Sequence, residues 1–348
     1  MRFLASTLLS TDPALSAPGQ GEHDRLLATI DLAIWAERLG YDGFGVGERH
    51  NPGFLSSSPA VLLSHIAART STIRLFTTVT VLSLNDPVRV AEDYAMLDHL
   101  SGGRLELVIG KGNDAPSLEL FGARQEEQWD RLQEGYELLR RLWREESVTW
   151  SGRFRPDLRD ATTRPRPYQR PAPVVWHGSA SSERSTELAA RWGDPLYSAN
   201  GFQPVEHYLA LVRHYRDRLA HHGHDPSAIP LAVGAHSPVI ATRSQDAYAL
   251  ARPAFERFRR HPVAARNGFP YESVEDFVAR GSALVGSPAQ IIDKLLALHA
   301  AFGNDLFGIG VEGFFHDDDA TTRGHLERFF AEVAPVVRAE TDISEYSY

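Results

Sequence analysis

Apolar positions follow two alternating rhythms along the chain. Short apolar runs at residues 2–8, 43–47, 74–82, 104–110, 174–177, 195–198, 231–240 and 306–311 read as strands, and most segments between them show the 3–4 spacing of helices. A helix over 24–39 is stopped by Gly40, and Ser58 with Pro59 opens another that runs through 60–68. Asp86 and Pro87 open a third that runs to Leu100, and over 125–144 Trp129, Leu132, Tyr136, Leu139 and Trp143 share one face. Further helices are expected near 182–192, 204–221, 244–259, 287–301 and 321–338. Strands separated by helices imply a parallel sheet with helices outside, because parallel neighbours need long crossovers. Eight strand starts match a (β/α)8 TIM barrel, preferred here to a doubly wound sheet, so function is expected in the loops after the strands. Two stretches interrupt the rhythm. Residues 146–173 carry Arg153, Arg155, Arg159, Arg164, Arg166 and Arg170 among five prolines and read as an irregular or hairpin insertion, and 261–285 read as a second irregular one. Residues 1–348 are thus expected to form a single domain with these two insertions.

Composition narrows the function classes. With 43% hydrophobic and 23% charged residues the chain can bury a large core, and its net charge of −9 argues against a broad nucleic-acid or anionic-membrane footprint. The absence of cysteine removes disulfides, thiolate metal sites and cysteine nucleophiles, and fits a reducing compartment. No apolar run approaches the roughly 18–20 residues of a membrane helix, and residues 1–9 read as a first strand rather than a signal peptide, so a cytoplasmic protein is expected. H-E-x-x-H, G-x-S-x-G and phosphate-loop motifs are missing, which weakens zinc and serine hydrolysis. Gly308 to Gly313 fits G-x-G-x-x-G, but no later strand completes a dinucleotide unit. His221-His222-Gly223-His224 reads as a helix end and His316-Asp317-Asp318-Asp319 as a charged loop, so no metal site is expected.

The loops after the strands hold the candidate chemistry. Gly47-Glu48-Arg49-His50-Asn51-Pro52-Gly53 follows strand two, with His50 as candidate acid/base and Arg49 as candidate anion holder. The plain alternative pairs Glu48 with Arg49 and leaves His50 solvated. Gly110-Lys111-Gly112-Asn113-Asp114 follows strand four, where glycines admit a ligand to the backbone and Lys111 can meet an anion, unless the segment is simply a tight turn. His177-Gly178-Ser179-Ala180-Ser181-Ser182-Glu183 precedes a helix, and three serines exceed what one N-cap needs, which suits a phosphate.

Strung together, Gly40-Tyr41-Asp42-Gly43-Phe44, Glu48-Arg49-His50, 86–93 with Leu97-Asp98-His99-Leu100-Ser101-Gly102-Gly103-Arg104, Phe121-Gly122, Leu142-Trp143 and Val175-Trp176-His177-Gly178-Ser179 resemble the bacterial luciferase-like flavin-dependent monooxygenase family over nearly the whole chain. The resemblance implies a (β/α)8 barrel that binds reduced FMN, usually as a homodimer. It implies a two-component monooxygenase: a separate flavin reductase supplies FMNH2, O2 adds at the flavin C4a position, and the resulting hydroperoxide oxidises a small organic substrate. Relatives often carry His-His after the strand-two glutamate and assign the reaction to the first. Arg49 stands there in this chain, so His50 is taken as catalytic with Arg49 as flavin or substrate anchor. By the same resemblance Lys111 and Asn113 approach the flavin, Ser179 and Ser182 hold its phosphate, and a cis peptide is expected between Thr78 and Val79, against the ring. Trp176, Phe202, Phe269, Tyr271 and Phe314 are candidate pocket aromatics, although aromatic residues more often fill cores. The alternatives are an F420-dependent dehydrogenase on the same barrel, its longer cofactor tail received by the 153–170 arginines, and a non-catalytic flavin-binding protein.

Overall fold

A computed structural model describes residues 1–11, 21–113, 115–180, 182–311 and 319–341. Its centre is a closed barrel of eight parallel strands: β1 (Arg2–Thr7), β2 (Gly43–Val46), β3 (Arg74–Thr77), β4 (Leu105–Gly110), β5 (Val174–Ser179), β6 (Leu196–Ser198), β7 (Leu231–Ala235) and β8 (Leu306–Gly310). Each strand pairs with the next, and β1 closes the ring on β8 with Phe3 opposite Phe307. The expected barrel is therefore present. Strands this short and apolar are consistent with burial on both faces, their outer side chains meeting the apolar stripes of the surrounding helices.

Inside the barrel, Leu4, Phe76, Val108, Trp176, Ala232 and Leu306 form a separate apolar cluster. The fully buried Glu106 sits among them, bonded to the Trp176 indole N–H at 2.7 Å and to Arg74 Nε. A buried carboxylate without such partners would cost several kcal/mol. This packed floor leaves the strands' C-terminal ends as the open end.

Helix boundaries follow the sequence signals. Glu22–Leu39 ends at Gly40 in the left-handed region (φ 105°), Asp86 accepts the Val88 N–H at the start of Pro87–Leu100, and Ser182 caps Glu183–Trp192. No helix among the described residues is long and apolar enough to cross a membrane.

Several expectations need correction. The 74–82 strand is two pieces, because β3 stops at Thr77 and only Thr80–Val81 resumes pairing, with β4. The 231–240 strand also breaks: β7 ends at Ala235, and Val239–Ile240 pairs with Val285–Gly286 in a separate small sheet. The 146–173 insertion, by contrast, contains a hairpin as expected, Val148–Trp150 against Leu158–Ala161. The 261–285 stretch is not irregular throughout. It holds helices Pro262–Arg266 and Val274–Arg280, the second capped by Ser273, and Phe255, Tyr271 and Phe277 with their neighbours form a second core of their own. Ala115–Leu120 adds a helix that periodicity missed, since six residues are too few to show a repeat. The last helix is three pieces, Asp319–Arg328, a π turn over Phe329–Val333, and Ala334–Glu340.

Candidate active site

Glycines make room for the break in β3. The Thr78–Val79 peptide is cis, and a Cβ at Gly45 would lie 2.6 Å from the Thr78 methyl, while one at Gly47 would lie 2.7 Å from the Thr78 carbonyl oxygen. On the other side a Cβ at either Gly110 or Gly178 would come within 3.0 Å of Val79. Side chains at these four positions would crowd Thr78 and Val79 out of the barrel mouth.

Around this break lies a cavity of about 490 Å³, within the range of small-molecule sites. Every site residue expected from sequence lines it: Arg49, His50, Thr78, Val79, Lys111, Asn113, Ser179 and Ser182. They come from the ends of β2, β3, β4 and β5, far apart in sequence and joined only by barrel closure.

Glu48 organises the strand-two end. It does not pair with Arg49, as the plain alternative had it. Its Oε1 accepts from His50 Nε2 and from Asn85 Nδ2, both at 2.9 Å, and its Oε2 accepts the Val81 N–H at 2.8 Å. The carboxylate thus ties His50 to the segment just after the cis peptide. The His50 ring is half-buried and meets Phe121 edge-on at 4.5 Å. Arg49 instead crosses to the strand-four end, where Nη1 donates to Asn113 Oδ1 at 2.6 Å.

Lys111 points Nζ at the Gly112 carbonyl (2.9 Å) and Gln128 Oε1 (3.5 Å), and meets no carboxylate among the described residues. Burial pulls its pKa below the usual lysine range. Its ammonium lies 5.7 Å from the centre of the Trp129 ring, which the Arg184 guanidinium also approaches at 5.5 Å. On the β5 side Ser185 Oγ donates to Ser179 Oγ at 2.8 Å or to the Ser182 carbonyl at 2.6 Å, so three serines gather at the start of Glu183–Trp192. Hydroxyls, helix N–H groups and a lysine suit an anion.

Ser185, Gln128, Trp129, Tyr197, Tyr208 and Arg266 also line the cavity and were not anticipated. Ser185 was legible as the residue one helical turn after Ser182, whereas Trp129 had been assigned to the packed face of its helix. Of the candidate aromatics, Phe202 lines the cavity. Trp176 belongs to the barrel floor, Phe269 and Tyr271 to the second core, and Phe314 lies outside the described residues. Gly308 has a packing role: a Cβ there would fall 1.9 Å from the Tyr197 hydroxyl. None of the six insertion arginines lines the cavity. Arg153 and Arg155 pair with Asp130 and Asp86, and Arg166 donates to the Leu142 and Trp143 carbonyls. No group of metal-binding side chains occurs among the described residues.

The luciferase-like monooxygenase family model matches residues 1–305. The chain belongs to that family. Its relatives include the 4-hydroxyprotoasukamycin monooxygenase of Streptomyces nodosus subsp. asukaensis, 28% identical over 98% of this chain and 92% of the other. The FMNH2-dependent dimethylsulfone monooxygenase of Pseudomonas putida is 26% identical over 91% and 88%. An F420-dependent glucose-6-phosphate dehydrogenase of Kineococcus radiotolerans is 33% identical, but over only 49% of this chain and 52% of its own length. Some other curated relatives are also matched over two thirds of their length or less. Among solved structures, the monooxygenase RslO1 of Streptomyces bottropensis superposes with a TM-score of 0.83 at 27% identity, over 97% of this chain and 99% of that one.

Proposed function

We propose that the chain is the oxygenating component of a two-component monooxygenase, binding reduced FMN made by a separate flavin reductase and using O2 to oxidise a small organic substrate. The observation that carries the reading is the convergence of four strand ends on one cavity with an anion-holding side and an apolar side. Ser179, Ser182, Ser185 and Lys111 would hold the phosphate. Thr78 and Val79 would support the ring, and the buried Thr78 hydroxyl, which has no hydrogen-bond partner among the described residues, is available to a ring heteroatom. Bound there, reduced FMN supplies the electrons for oxygen activation.

The protein's own contribution is positional. Val79, Val81, Val108, Leu132 and Phe202 give the cavity apolar walls that exclude water. With Nε2–H of His50 donating to Glu48, the other ring nitrogen keeps its lone pair and can exchange a proton in the cavity. Arg49, braced on Asn113, anchors substrate or flavin. Engagement of the insertion arginines elsewhere favours FMN over an F420 tail. By resemblance the enzyme is a cytoplasmic homodimer, and exposed Val61, Met96 and Leu100 on two neighbouring helices offer an apolar face for a second copy.

The test is anaerobic titration with reduced FMN, oxidised FMN and reduced F420, followed by oxygen in the presence of a substrate panel. Preferential binding of reduced FMN with oxygenated product supports the reading. Preferential F420 binding without oxygen consumption rejects it, and flavin binding with no turnover on any substrate leaves a flavin carrier. His50→Ala is expected to keep reduced-FMN binding while diverting oxygen consumption from product to hydrogen peroxide; an unchanged product-to-oxygen ratio removes His50 from its role.

A further inference from the structure

A second cavity, of about 420 Å³, lies between helix Pro288–Phe302, helix Val274–Arg280 and the start of helix Val205–His221. Val205, Val278, Ile291, Ala297 and Leu298 give it apolar walls, and Lys294 reaches into it. The Lys294 ammonium is held by the Val278 carbonyl, and no carboxylate comes within ion-pair distance of it among the described residues. Asp293 on its own helix, Glu206 and Arg280 line the same cavity, and His236 lies near enough to feel its charge. Arg280 is already paired with Asp276. Burial pulls the Lys294 pKa down to about 7.

The sequence sharpens this observation. Of 36 basic residues only Lys111 and Lys294 are lysine, all others being arginine, and each of the two lines a cavity. A guanidinium carries its charge obligatorily on a broad fork, whereas an ammonium is a compact point charge that can approach a single anionic head. A half-buried cation with no counter-ion within ion-pair distance among the described residues carries a desolvation cost that a ligand carboxylate would offset.

We propose that this second cavity binds an amphipathic carboxylate, its head on Lys294 and its hydrocarbon chain along Val205, Val278, Ile291 and Leu298. The site is separate from the flavin cavity but shares a wall with it: Phe202 and Gln203 face the one, Val205 and Glu206 the other. The proposal does not depend on which flavin the main cavity takes.

Octanoate is the probe, with 1-octanol and acetate as the two half-ligands, read by calorimetry on the full chain at pH 7. Octanoate is expected to bind with one-to-one stoichiometry, at least tenfold tighter than either half-ligand, and at least tenfold weaker to Lys294→Met. That variant is checked by its cooperative melting and by unchanged flavin affinity. A second readout uses the two-lysine composition: after reductive ¹³C-methylation, which keeps the charge, two side-chain signals titrate, and octanoate should raise the Lys294 pKa by a unit or more while leaving Lys111 alone. Lack of saturable binding, octanol binding as tightly as octanoate, full affinity in Lys294→Met, a shift of the Lys111 signal instead, or displacement of octanoate by FMN would each overturn the proposal.

Discussion

Replacing Asp194 with alanine tests the packing that holds the β5 end in place. Asp194 is almost fully buried behind the strand, where its carboxylate accepts from Arg140 Nη1 at 3.0 Å, from His177 Nε2 at 3.1 Å and from the Tyr136 hydroxyl. Burial, reinforced by this carboxylate, keeps the Tyr136 phenol well above its ordinary pKa, so it stays a donor. Removing the carboxylate strands Arg140 without its counter-ion, which costs about 3–5 kcal/mol, and leaves the buried Tyr136 hydroxyl, which still accepts from Arg140 Nη1 at 3.1 Å, without an acceptor for its proton, for about 1 kcal/mol more. The Tyr215 bond to the Asp194 backbone carbonyl, 2.7 Å, survives the change. Taking about 5 kcal/mol, and an unfolding entropy near 2.1 cal/mol/K per residue, the 348-residue chain should lose roughly 7 °C in Tm. Differential scanning calorimetry reads this directly. Asp194→Asn keeps an acceptor for Tyr136 and should fall about halfway between. Asp194 does not line the cavity at the barrel mouth, so reduced-FMN affinity measured well below Tm should change less than threefold. A loss under 2 °C for alanine, or asparagine as damaging as alanine, would refute the reasoning.

Three further outcomes follow from the geometry. Ser179→Ala with Ser182→Ala, or Lys111→Met alone, should weaken FMN by tenfold or more, as expected for charge-assisted bonds of about 1.5–3 kcal/mol, while riboflavin changes little; equal losses for both flavins in a titration would reject the phosphate assignment. Gly47→Ala places a Cβ 2.7 Å from the backbone oxygen of Thr78 and 2.3 Å from Leu8, so it should displace Thr78 and Val79 from the cavity wall and abolish flavin binding as followed by fluorescence, with normal binding counting against the role of those two residues. His236 is half-buried, and desolvation lowers its pKa from 6.5 to about 4, so between those values the unfolded chain binds the extra proton and stability rises with pH. That window is worth about 3 kcal/mol, and His236→Gln should flatten the wild-type difference in urea midpoint between pH 4.5 and pH 7, whereas an unchanged difference would place the titration elsewhere.

The barrel was legible because its strands are buried on both faces and its helices carry caps: Ser182, Asp86 with Pro87, and Gly40 each stand where the chain turns. What pattern alone missed was where strands break. Residues 74–82 stay rich in Thr and Val straight through the interruption at Thr78, since the break is accommodated by glycines on β2, β4 and β5 rather than announced in its own sequence. His50, Lys111 and Ser179 were found by lying just after strands. The role of Glu48 was not legible because its partners, Asn85 and the Val81 N–H, are distant in sequence and only closure of the barrel presents them.

The same logic explains why the side of the cavity proposed for the cofactor is readable and the side proposed for the substrate is not. Ser179, Lys111 and Val79 sit at or just beyond rigid strand ends whose neighbours tolerate little change. The opposite wall comes from Phe202, Gln203, Arg266 and Asn267. Gln203 Nε2 donates to the Asn267 carbonyl at 2.6 Å, which joins that wall to a segment packed on its own core of Phe255, Tyr271 and Phe277. Such a segment can change its cavity-facing residues without repacking the barrel, because the two clusters of buried side chains are separate. Under the proposed function, substrate choice would rest on 202–203 and 261–269, and exchanging those residues between relatives should change which substrate is oxidised while leaving reduced-FMN affinity intact.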